Sequence, residues 1–334
     1  MSKRRACIVS TGSYVPKKVL SNAELEKMVD TSDEWIQTRT GILERRIAGK
    51  EECSSDMGVI AARRALKKAG VLPSELDGIL VATLTPDYIF PATACLIQNA
   101  LEAPHVMAFD IQAACSGYLY ALSVAEAFIA QGKSRILIVA PEKLSAIVNY
   151  QDRSTCVLFG DGAAACLVAA GSTGLQIDGI CLGADGSQSH LLRMEGGGCK
   201  HPASKETVEN NLHYIQMAGS EVFKHAVLRM KGSCETCLEQ AGLQESDIDW
   251  LIPHQANVRI IDAMGKRFSH IPPEKICKTI HKYGNTSCSS IGIALDELWS
   301  EGKLRFGDRC LLTAFGAGFT WGSCILTKVE EQKR

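Results

Sequence analysis

The chain has 334 residues, of which 46% are hydrophobic and 22% are charged, and its formal net charge is −1 at neutral pH. This length allows two domains, and the balanced composition is typical of a globular protein rather than a disordered one or one that coats nucleic acid. The apolar runs are the length of β-strands and are too short for membrane-spanning helices. The apolar run that follows the basic residues MSKRR is predicted to be a first strand rather than part of a signal peptide. We therefore expect no nucleic acid partner and no membrane association.

Fourteen cysteines are distributed mainly through apolar segments. In such positions cysteine behaves as a small hydrophobic side chain, so the sequence predicts free thiols, a reducing compartment and a cytoplasmic location. Cys234 and Cys237 form a CxxC pair within a helical pattern. A zinc or redox site there is the less favoured interpretation, because no second pair of ligands follows. We expect no metal.

The chain contains an internal repeat. The segment from Lys67 to Ala82 has the same succession as the segment from Leu238 to His254, namely a helix end, an Ala-Gly stop, an acidic turn and a buried strand. A segment that begins at Cys115 matches one that begins at Cys288, at nearly the same sequence spacing. Two matches in the same order predict two homologous halves.

These halves are predicted to span residues 1–172 and 173–334, joined by a loop near Gly171 to Gly174. Each half alternates amphipathic helices with near-continuous apolar strands, which favours mostly parallel sheets covered by helices on both faces. The predicted fold class is therefore α/β, a five-layered αβαβα sandwich of two duplicated halves. Two irregular insertions, TPDYIFPATA and EGGGCKHPASKETVENN, are predicted substrate or dimer loops.

A strand runs directly into a helix in FDIQAACSGYLYAL, and Cys115 lies at the junction. Apolar residues at helical spacing follow, and Gly132 supplies a C-terminal stop. Unpaired N–H groups and the macrodipole at a helix N-terminus stabilise anions, so Cys115 is predicted to ionise readily and its N–H to hold an oxyanion. An isolated cysteine is more often a buried filler, but the neighbouring motifs favour a nucleophile here.

Two further polar residues are predicted to reach the same place. His254 ends a strand in WLIPHQANVRI, with Gln255 and Asn257 opening the next helix. The carboxyl edge of a sheet is where α/β proteins usually bind ligands, although a lone histidine is more often structural. Asn285, in HKYGNTSCSSIGIAL, precedes the second-half helix that corresponds to the helix after Cys115. If a pseudo-twofold axis relates the halves, Cys115, His254 and Asn285 converge on one cleft.

The closing segment TAFGAGFTWGSCILTKV consists of a strand, a glycine-rich turn and another strand. A dinucleotide-binding loop is excluded because no helix follows Gly318 to receive a pyrophosphate. A tight hairpin is predicted instead. It would bring a backbone N–H near Ala317 against the nucleophile, as the second donor of an oxyanion hole.

Taken together, AACSG with Cys115, PHQAN with His254, YGNTS with Asn285 and the closing FGAGFTWG resemble the β-ketoacyl-acyl-carrier-protein synthase III family of the thiolase superfamily. The resemblance spans the chain. The order Cys, His, Asn argues against elongating ketoacyl synthases, which have a second histidine in the third place, and against thiolases, which have a second cysteine. Chalcone synthases share Cys-His-Asn but close with a different glycine-rich motif.

The resemblance implies a thiolase-like αβαβα fold, a homodimer and no cofactor. It implies a decarboxylative Claisen condensation of acetyl-CoA, or another short acyl-CoA, with malonyl-acyl carrier protein. The product would be acetoacetyl-acyl carrier protein, which initiates type II fatty acid synthesis. Cys115 would carry the acyl group, and His254 and Asn285 would donate hydrogen bonds to the malonyl thioester carbonyl.

The resemblance also assigns binding residues. Phe90 would reach across the dimer interface to bound the partner's acyl pocket, favouring a short straight primer. CoA would contact Thr31, Trp35, Arg39, Arg153, Phe223, Ala226 and Asn257, with Met217 nearby. The acidic carrier protein would be attracted by the basic group Lys224, Arg259, Lys266 and Arg267. One departure is Ala317, where many relatives carry glycine. Without the resemblance, Trp35 is better interpreted as a helix anchor and these basic side chains as a solvated face.

Three other functions stay open from the sequence. One is a related synthase of secondary metabolism that uses another acceptor. Another is a cysteine hydrolase with His254 as general base, in which YGNTS and the repeat would have no role. The last is an inactive homologue that serves as a binding scaffold, which the intact Cys115, His254 and Asn285 disfavour.

Overall fold

The computed structural model describes residues 4–329, so the extreme ends of the two predicted halves, residues 1–3 and 330–334, lie outside the described residues. Its strands are Ala6–Tyr14 (β1), Lys18–Ser21 (β2), Glu44–Ile47 (β3), Gly78–Ala82 (β4), Met107–Ile111 (β5), Arg135–Glu142 (β6), Gly162–Ala170 (β7), Gly174–Ala184 (β8), Leu192–Arg193 (β9), Gln216–Met217 (β10), Trp250–Pro253 (β11), Arg309–Gly316 (β12) and Thr320–Val329 (β13). Its α-helices are Asn22–Leu25 (α1), Asp33–Thr40 (α2), Ser54–Ala69 (α3), Thr93–Ala100 (α4), Gly117–Ala130 (α5), Arg153–Cys156 (α6), Lys205–Glu209 (α7), Gly219–Ala241 (α8), Val258–Arg267 (α9), Ile280–Tyr283 (α10) and Ser289–Ser300 (α11).

The main sheet of the described chain has nine strands in the order β11-β12-β13-β8-β1-β7-β6-β4-β5. The first half supplies β1 and β4 to β7, and the second half supplies β8 and β11 to β13. The two groups of strands are joined only through β1 and β8, where Cys7 pairs with Gln176 and Ile8 with Leu175. Residue 172 lies in the bend between β7 and β8. The division into residues 1–172 and 173–334 stays a prediction.

The predicted predominance of parallel pairing is wrong. Within the main sheet, β4 is parallel to β5 and β6, and β11 is parallel to β12. The β1–β7, β1–β8, β6–β7, β12–β13 and β8–β13 pairs are antiparallel. The apolar runs arise because helices cover both faces of these strands, and such burial gives the same sequence pattern whichever way a neighbour runs.

Three apolar cores separate the layers. One contains residues of α5 and α11 packed between the strands of the two halves. A second packs α3 and α4 against the outer face of the first-half strands, and a third packs α8 and α9 against the outer face of the second-half strands. The layers therefore follow the order α, β, α, β, α. This arrangement confirms the predicted sandwich.

The repeat is visible in how corresponding helices end. Both α3 and α8 stop at a glycine in the left-handed region, Gly70 with φ of 65° and Gly242 with φ of 67°. Glycine adopts this conformation without the strain a β-carbon would bring, so the Ala-Gly pairs end both helices as predicted. The acidic turns that follow each lead into a buried strand, β4 and β11.

The central helices α5 and α11 approach each other and the sheet closely because small residues line their contacts. A β-carbon on Gly292 would lie 2.5 Å from the Ala164 β-carbon and 3.0 Å from the Tyr118 ring. A β-carbon on Gly117 would lie 3.3 Å from that of Ala82. The tight packing fixes the starts of both helices.

The cysteines are free thiols throughout the described chain. Cys234 and Cys237 lie on the buried face of α8, where Cys234 contacts the Ser323 hydroxyl at 3.4 Å and Cys237 donates to the Ser323 carbonyl at 3.6 Å. Burial raises the pKa of Cys234 to about 11 and that of Cys237 to about 12. These thiols are core side chains of the second half. No helix within residues 4–329 combines the length and apolar character needed to cross a bilayer.

Candidate active site

One cavity of about 1100 Å³ lies where the two halves meet. Its lining includes Cys115 from the first half together with His254, Asn285 and Ala317 from the second. The structure therefore brings together the residues that sequence reasoning placed in one cleft. Different local contacts fix the position of each of these residues.

Cys115 lies in a single 3-10 turn, Ala114–Ser116, between β5 and α5. The α-helix itself begins at Gly117, so Cys115 precedes the helix rather than opening it. The turn is fastened by the Ser116 hydroxyl, which donates to the Ala113 carbonyl at 2.7 Å and contacts the Thr320 hydroxyl at 2.7 Å. The hairpin of the second half thereby holds the turn that carries Cys115 in the first.

The prediction that Cys115 ionises readily is wrong for the free protein. Burial raises the pKa of Cys115 to about 12, although the Ser287 hydroxyl donates to its sulfur at 3.4 Å and acts in the opposite direction. Part of the side chain borders the cavity, but the surrounding protein removes most of the water that would solvate a thiolate. The effect of burial, together with the negative charge of Glu142, exceeds the opposing effects of the Ser287 hydrogen bond and of the backbone N–H of Cys115. Cys115 therefore rests as a neutral thiol.

His254 is fixed by its backbone and by a serine. It follows β11 directly, and its N–H donates to the Thr313 carbonyl at 2.8 Å. Nδ1 lies 2.7 Å from the Ser290 hydroxyl, which also accepts the Gln255 N–H at 3.3 Å. Among the described contacts Nδ1 is the acceptor left for the Ser290 proton, so the ring proton belongs on Nε2. Burial lowers the pKa of His254 to about 3, which keeps the ring neutral.

The backbone N–H and the backbone carbonyl of Asn285 are both hydrogen-bonded. Its N–H donates to the Leu158 carbonyl at 2.8 Å, and its carbonyl accepts the Gly160 N–H at 3.0 Å. Its side-chain oxygen accepts the Ser287 N–H at 2.8 Å. Within residues 4–329 the amide NH₂ has no hydrogen-bond partner in the protein. It is therefore available as a donor to a ligand in the cavity.

Ala317 lies in the turn between β12 and β13, which pair antiparallel with Gly316 opposite Thr320 and confirm the predicted hairpin. A β-carbon on Gly316 would lie 2.6 Å from the Cys115 nitrogen, so only glycine permits this approach. The positive backbone angle of the turn falls on Gly318, with φ of 137°, and not on Ala317. Alanine is therefore tolerated at this position.

Sequence reasoning did not single out Ser290, Ser287, Gly316 or Glu142 as site residues. Glu142 is completely buried at the end of β6 and belongs to the surroundings of Cys115. The serines lie in a polar run, TSCSS, in which Ser287 contacts Cys115 of the first half and Ser290 contacts His254 and Gln255, which are distant in the sequence. Gly316 is one of three glycines in the closing motif. A sequence alone does not show which of them meets another backbone.

Most of the residues assigned to CoA also line the cavity. Arg153 does not line it, but its guanidinium stacks over the Trp35 ring at 5.0 Å. Thr31 does not line it either, and its hydroxyl is buried without a partner in the described chain. The Asn257 amide joins helices α2 and α9 by donating to the Arg39 carbonyl at 3.0 Å. The cavity-lining members are Trp35, Arg39, Phe223, Ala226 and Asn257, and the nearby Met217 also lines the cavity.

The basic group is less uniform than its sequence suggests. Lys224 and Arg259 line the cavity, and the Arg259 guanidinium stacks over the Phe223 ring at 5.2 Å. Lys224 pairs with Glu221 at 2.9 Å. Arg267 is engaged by the carboxylates of Glu235 and Glu245, so its charge is largely compensated locally. Lys266 is exposed.

Phe90 lies at an exposed tip of the first insertion. It is 84% exposed and adjoins Ile89 and Tyr88, which are 85% and 60% exposed. Phe90 does not line the cavity of its own chain. The first predicted insertion therefore presents an apolar tip to its surroundings.

Comparisons with known proteins show which family the chain resembles. Two family models match, 3-oxoacyl-[acyl-carrier-protein] synthase III over residues 109–186 and its C-terminal part over residues 238–328. The chain is 55% identical to β-ketoacyl-[acyl-carrier-protein] synthase III of Chlamydia trachomatis serovar D, across 97% of this chain and 100% of that one.

Two solved structures are similar. The 3-oxoacyl-[acyl-carrier-protein] synthase III from Aquifex aeolicus VF5 superposes with a TM-score of 0.89 at 49% identity, covering 96% of this chain and 99% of that one. The priming β-ketosynthase from the R1128 polyketide biosynthetic pathway has a TM-score of 0.89 at 36% identity, covering 98% of each chain. With the full-length relative, they show that the chain belongs to the β-ketoacyl-acyl-carrier-protein synthase III family, the condensing acyltransferases of fatty acid synthesis.

Proposed function

We propose that this protein condenses acetyl-CoA, or another short acyl-CoA, with malonyl-acyl carrier protein. It releases acetoacetyl-acyl carrier protein, carbon dioxide and CoA, and so initiates type II fatty acid synthesis. The observation that carries the proposal is the meeting of Cys115, His254 and Asn285 in one cavity. One thiol and two neutral hydrogen-bond donors are what a two-step acyl transfer and condensation need.

In the first step Cys115 attacks the carbonyl carbon of the acyl-CoA thioester. Negative charge then develops on the carbonyl oxygen, and the N–H groups of Cys115 and Ala317 hold it. Gly316, the neighbour of Ala317, passes so close to Cys115 that a β-carbon on Gly316 would lie 2.6 Å from the Cys115 nitrogen. This close approach supports the pairing of the two N–H donors. CoA leaves and the acyl group stays on the sulfur.

In the second step the malonyl thioester carbonyl accepts hydrogen bonds from His254 Nε2 and the Asn285 amide. Loss of carbon dioxide places enolate charge on this oxygen, so donors there stabilise the transition state more than the ground state. The lowered pKa of His254, about 3, supports a neutral donor rather than a general base. The enolate carbon attacks the carbonyl carbon of the acyl group, the bond from that carbon to the Cys115 sulfur breaks, and Cys115 leaves as a thiolate that regains a proton from solvent.

CoA and the carrier protein are proposed to approach along the lining described above. Adenine would lie between Trp35 and Arg153, which requires Arg153 to leave its present stack at 5.0 Å. Thr31, Arg39, Phe223, Ala226 and Asn257 would complete the CoA contacts. The acidic carrier protein would meet Lys224, Arg259 and Lys266, with a weaker share from the paired Arg267.

We further propose a cytoplasmic homodimer. The exposed tip Tyr88, Ile89 and Phe90 supports an interface that covers it, with Phe90 limiting the partner's acyl pocket. Free thiols support a reducing compartment.

A second candidate is a priming synthase that serves another product. The likeness to the R1128 priming β-ketosynthase favours keeping it, because the fold and chain length agree equally well. The two candidates share the first step and differ in primer and acceptor.

The test offers acetyl-, propionyl-, isobutyryl- and octanoyl-CoA in separate reactions. Mass spectrometry of the intact protein and of the Cys115 peptide measures acylation, and addition of malonyl-acyl carrier protein identifies the product. We expect an acetyl adduct on Cys115 and acetoacetyl-acyl carrier protein. An unmodified Cys115 would contradict the proposal, and rapid acylation without condensation would favour the second candidate.

A further inference from the structure

One side chain of the closing hairpin contacts backbone groups of both halves and has no role in the reaction as described above. Thr320 begins β13, and its hydroxyl donates to the Ala113 carbonyl at 2.9 Å and to the Ala317 carbonyl at 3.0 Å. A hydroxyl has a single proton, so these two carbonyls share it in a three-centre hydrogen bond. The Ser116 hydroxyl likewise shares its proton between the Ala113 carbonyl and the Thr320 oxygen, each at 2.7 Å.

The two carbonyl groups flank the N–H groups proposed to hold the oxyanion. Ala113 lies two residues before Cys115 in the first half, and Ala317 carries the second N–H donor in the closing hairpin. The Ala113 carbonyl also accepts the Ser116 N–H at 3.1 Å, which closes the turn around Cys115. Within residues 4–329, the Thr320 hydroxyl is the one hydrogen-bond donor to the Ala317 carbonyl. Loss of this hydroxyl would therefore release the hairpin turn from the turn that carries Cys115.

The backbone that carries the Thr320 hydroxyl is fixed on both sides. Thr320 pairs with Gly316 of β12 and with Ala184 of β8. The preceding residue, Phe319, exchanges two backbone hydrogen bonds with Asp185, at 2.7 and 2.8 Å. A side chain on a strand with two neighbours is positioned more precisely than one on a loop. The hydroxyl is therefore a fixed point between the two turns.

The turn before Cys115 needs such a restraint. Ala114 has a positive φ of 44°, in the left-handed region that a residue with a β-carbon adopts only where its surroundings hold it there. The Cys115 N–H belongs to the peptide bond that follows Ala114, so relaxation of Ala114 would turn this N–H. The hydrogen bond from Thr320 to the Ala113 carbonyl, on the other side of Ala114, opposes that relaxation.

The Thr320 hydroxyl is not placed to act on the substrate directly. Thr320 lines the cavity, but its proton is directed to the two carbonyls. The hydroxyl that contacts the Cys115 sulfur belongs to Ser287. What Thr320 fixes is the spacing of the two turns that present N–H groups to the cavity. Stabilisation of an oxyanion depends on that spacing, because the donors must meet the developing charge without rearranging.

We propose that Thr320 is a positioning residue for the oxyanion hole. Its hydroxyl holds the Ala113 and Ala317 carbonyls together and so keeps the N–H groups of Cys115 and Ala317 directed at the same thioester oxygen. Thr320 itself forms no bond to the substrate. This inference rests on the proposed function, because it requires that Cys115 is acylated through a tetrahedral oxyanion.

The test compares two reactions of Cys115 in Thr320→Val, which replaces the hydroxyl by a methyl group of similar size. Acylation by acetyl-CoA places charge on a carbonyl oxygen, and single-turnover kinetics give its maximal rate and its half-saturating concentration. Alkylation by iodoacetamide is a displacement at a saturated carbon that forms no carbonyl oxyanion, and mass spectrometry of the Cys115 peptide follows it. We expect the maximal acylation rate to fall about 10- to 100-fold, with the half-saturating concentration and the alkylation rate little changed.

Three further variants separate this role from a general one. Thr320→Ser keeps the hydroxyl and should recover acylation to within about threefold of the native rate. Thr320→Ala removes the hydroxyl without adding bulk, so it carries the same prediction if Thr320→Val does not fold. Thr327→Val is the matched control on the same strand, because the Thr327 hydroxyl donates to Asp178 and Thr327 does not line the cavity. It should keep the native rates of both reactions.

The proposal is overturned if acylation keeps its native rate in Thr320→Val and Thr320→Ala. It is equally overturned if acylation and alkylation slow in parallel, since the hydroxyl would then support the whole turn that carries Cys115.

Acylation by p-nitrophenyl acetate separates this inference from the proposed function, because this activated ester forms the same kind of oxyanion without CoA. If acetyl-CoA leaves the native protein unmodified while the ester acylates Cys115 and does so more slowly in Thr320→Val, the proposed function is overturned and the role of Thr320 is supported. If neither compound acylates the native protein, both are overturned.

Discussion

Cys115 and Cys288 occupy corresponding places in the two halves, each at the start of a central helix. Cys115 faces the cavity, whereas Cys288 is 1% exposed and is hydrogen-bonded to Glu142 and the Ala82 carbonyl. Burial raises the pKa of Cys288 well above its ordinary value. The same residue type at corresponding positions therefore borders the cavity in one half and is a core side chain in the other.

The strand ends that face these two cysteines explain the difference. In the second half β12 ends at Gly316, which leaves room for the Cys115 backbone. In the first half the corresponding strand β6 ends at Glu142, whose carboxyl group covers Cys288. The absence of a side chain at Gly316 leaves space beside Cys115, whereas the carboxyl group of Glu142 fills the space beside Cys288. The surroundings of the two cysteines therefore differ because of the facing strands, although each cysteine lies at the start of a corresponding helix.

The difference between the two cysteines is tested most directly by replacing each of them with serine in a separate variant. Cys115→Ser should reduce acyl-enzyme formation about 1000-fold or more, because the hydroxyl is a far weaker nucleophile in a desolvated site. Cys288→Ser should retain acylation within a fewfold. Intact-protein mass spectrometry after treatment with acetyl-CoA measures both. An acyl group on Cys288 in the first variant would contradict the assignment.

Closing the space at Gly316 should have the next largest effect. In Gly316→Ala the new β-carbon would meet the Cys115 nitrogen at 2.6 Å and displace the turn that carries the oxyanion donor. We expect acylation to slow about 100-fold in single-turnover kinetics. Gly232→Ala is the matched control, since a β-carbon there meets no atom within 4 Å. Equal rates for the two variants would show that the close approach is unimportant.

The proposed hydrogen-bond donor Asn285 should act in decarboxylation and not in the acylation of Cys115, so the two steps can be measured separately. Asn285→Ala removes the amide NH₂ and should slow decarboxylation of malonyl-acyl carrier protein about 10- to 100-fold, while acylation of Cys115 changes little. Release of labelled carbon dioxide and the yield of acyl-enzyme are the two measurements. Parallel loss of both activities would mean that Asn285 supports the whole site instead.

Acidification should also lower the stability of the folded protein. The pKa of His254 is about 3 in the folded protein and near 6.5 when unfolded, so the unfolded chain binds a proton that the folded one excludes. Stability should therefore fall as pH decreases from about 6.5 toward 3, by about 1.4 kcal/mol per pH unit from this group at most. Urea unfolding of the native protein and of His254→Asn checks the sign. The variant should lose less stability on acidification, and an unchanged slope would contradict the buried neutral ring.

Much of the architecture was predictable because it depends on local periodicity. The Ala-Gly helix ends, the closing hairpin and the repeat about Cys115 and Cys288 each follow from a short pattern. Sequence reasoning was wrong on strand direction, because burial on both faces gives one pattern for parallel and antiparallel pairs. It was also wrong on the ionisation of Cys115, because desolvation depends on atoms from both halves.

The sequence by itself determined the two-half design, the positions of Cys115, His254 and Asn285 at element ends, and the family. Helix and strand patterns and short motifs carry that information residue by residue. Only the tertiary structure decided which cysteine meets the cavity, which nitrogen of His254 carries its proton and where Glu142 lies. Those properties arise between segments far apart in the chain, where a few tenths of an ångström of backbone approach and the exclusion of water determine the chemistry.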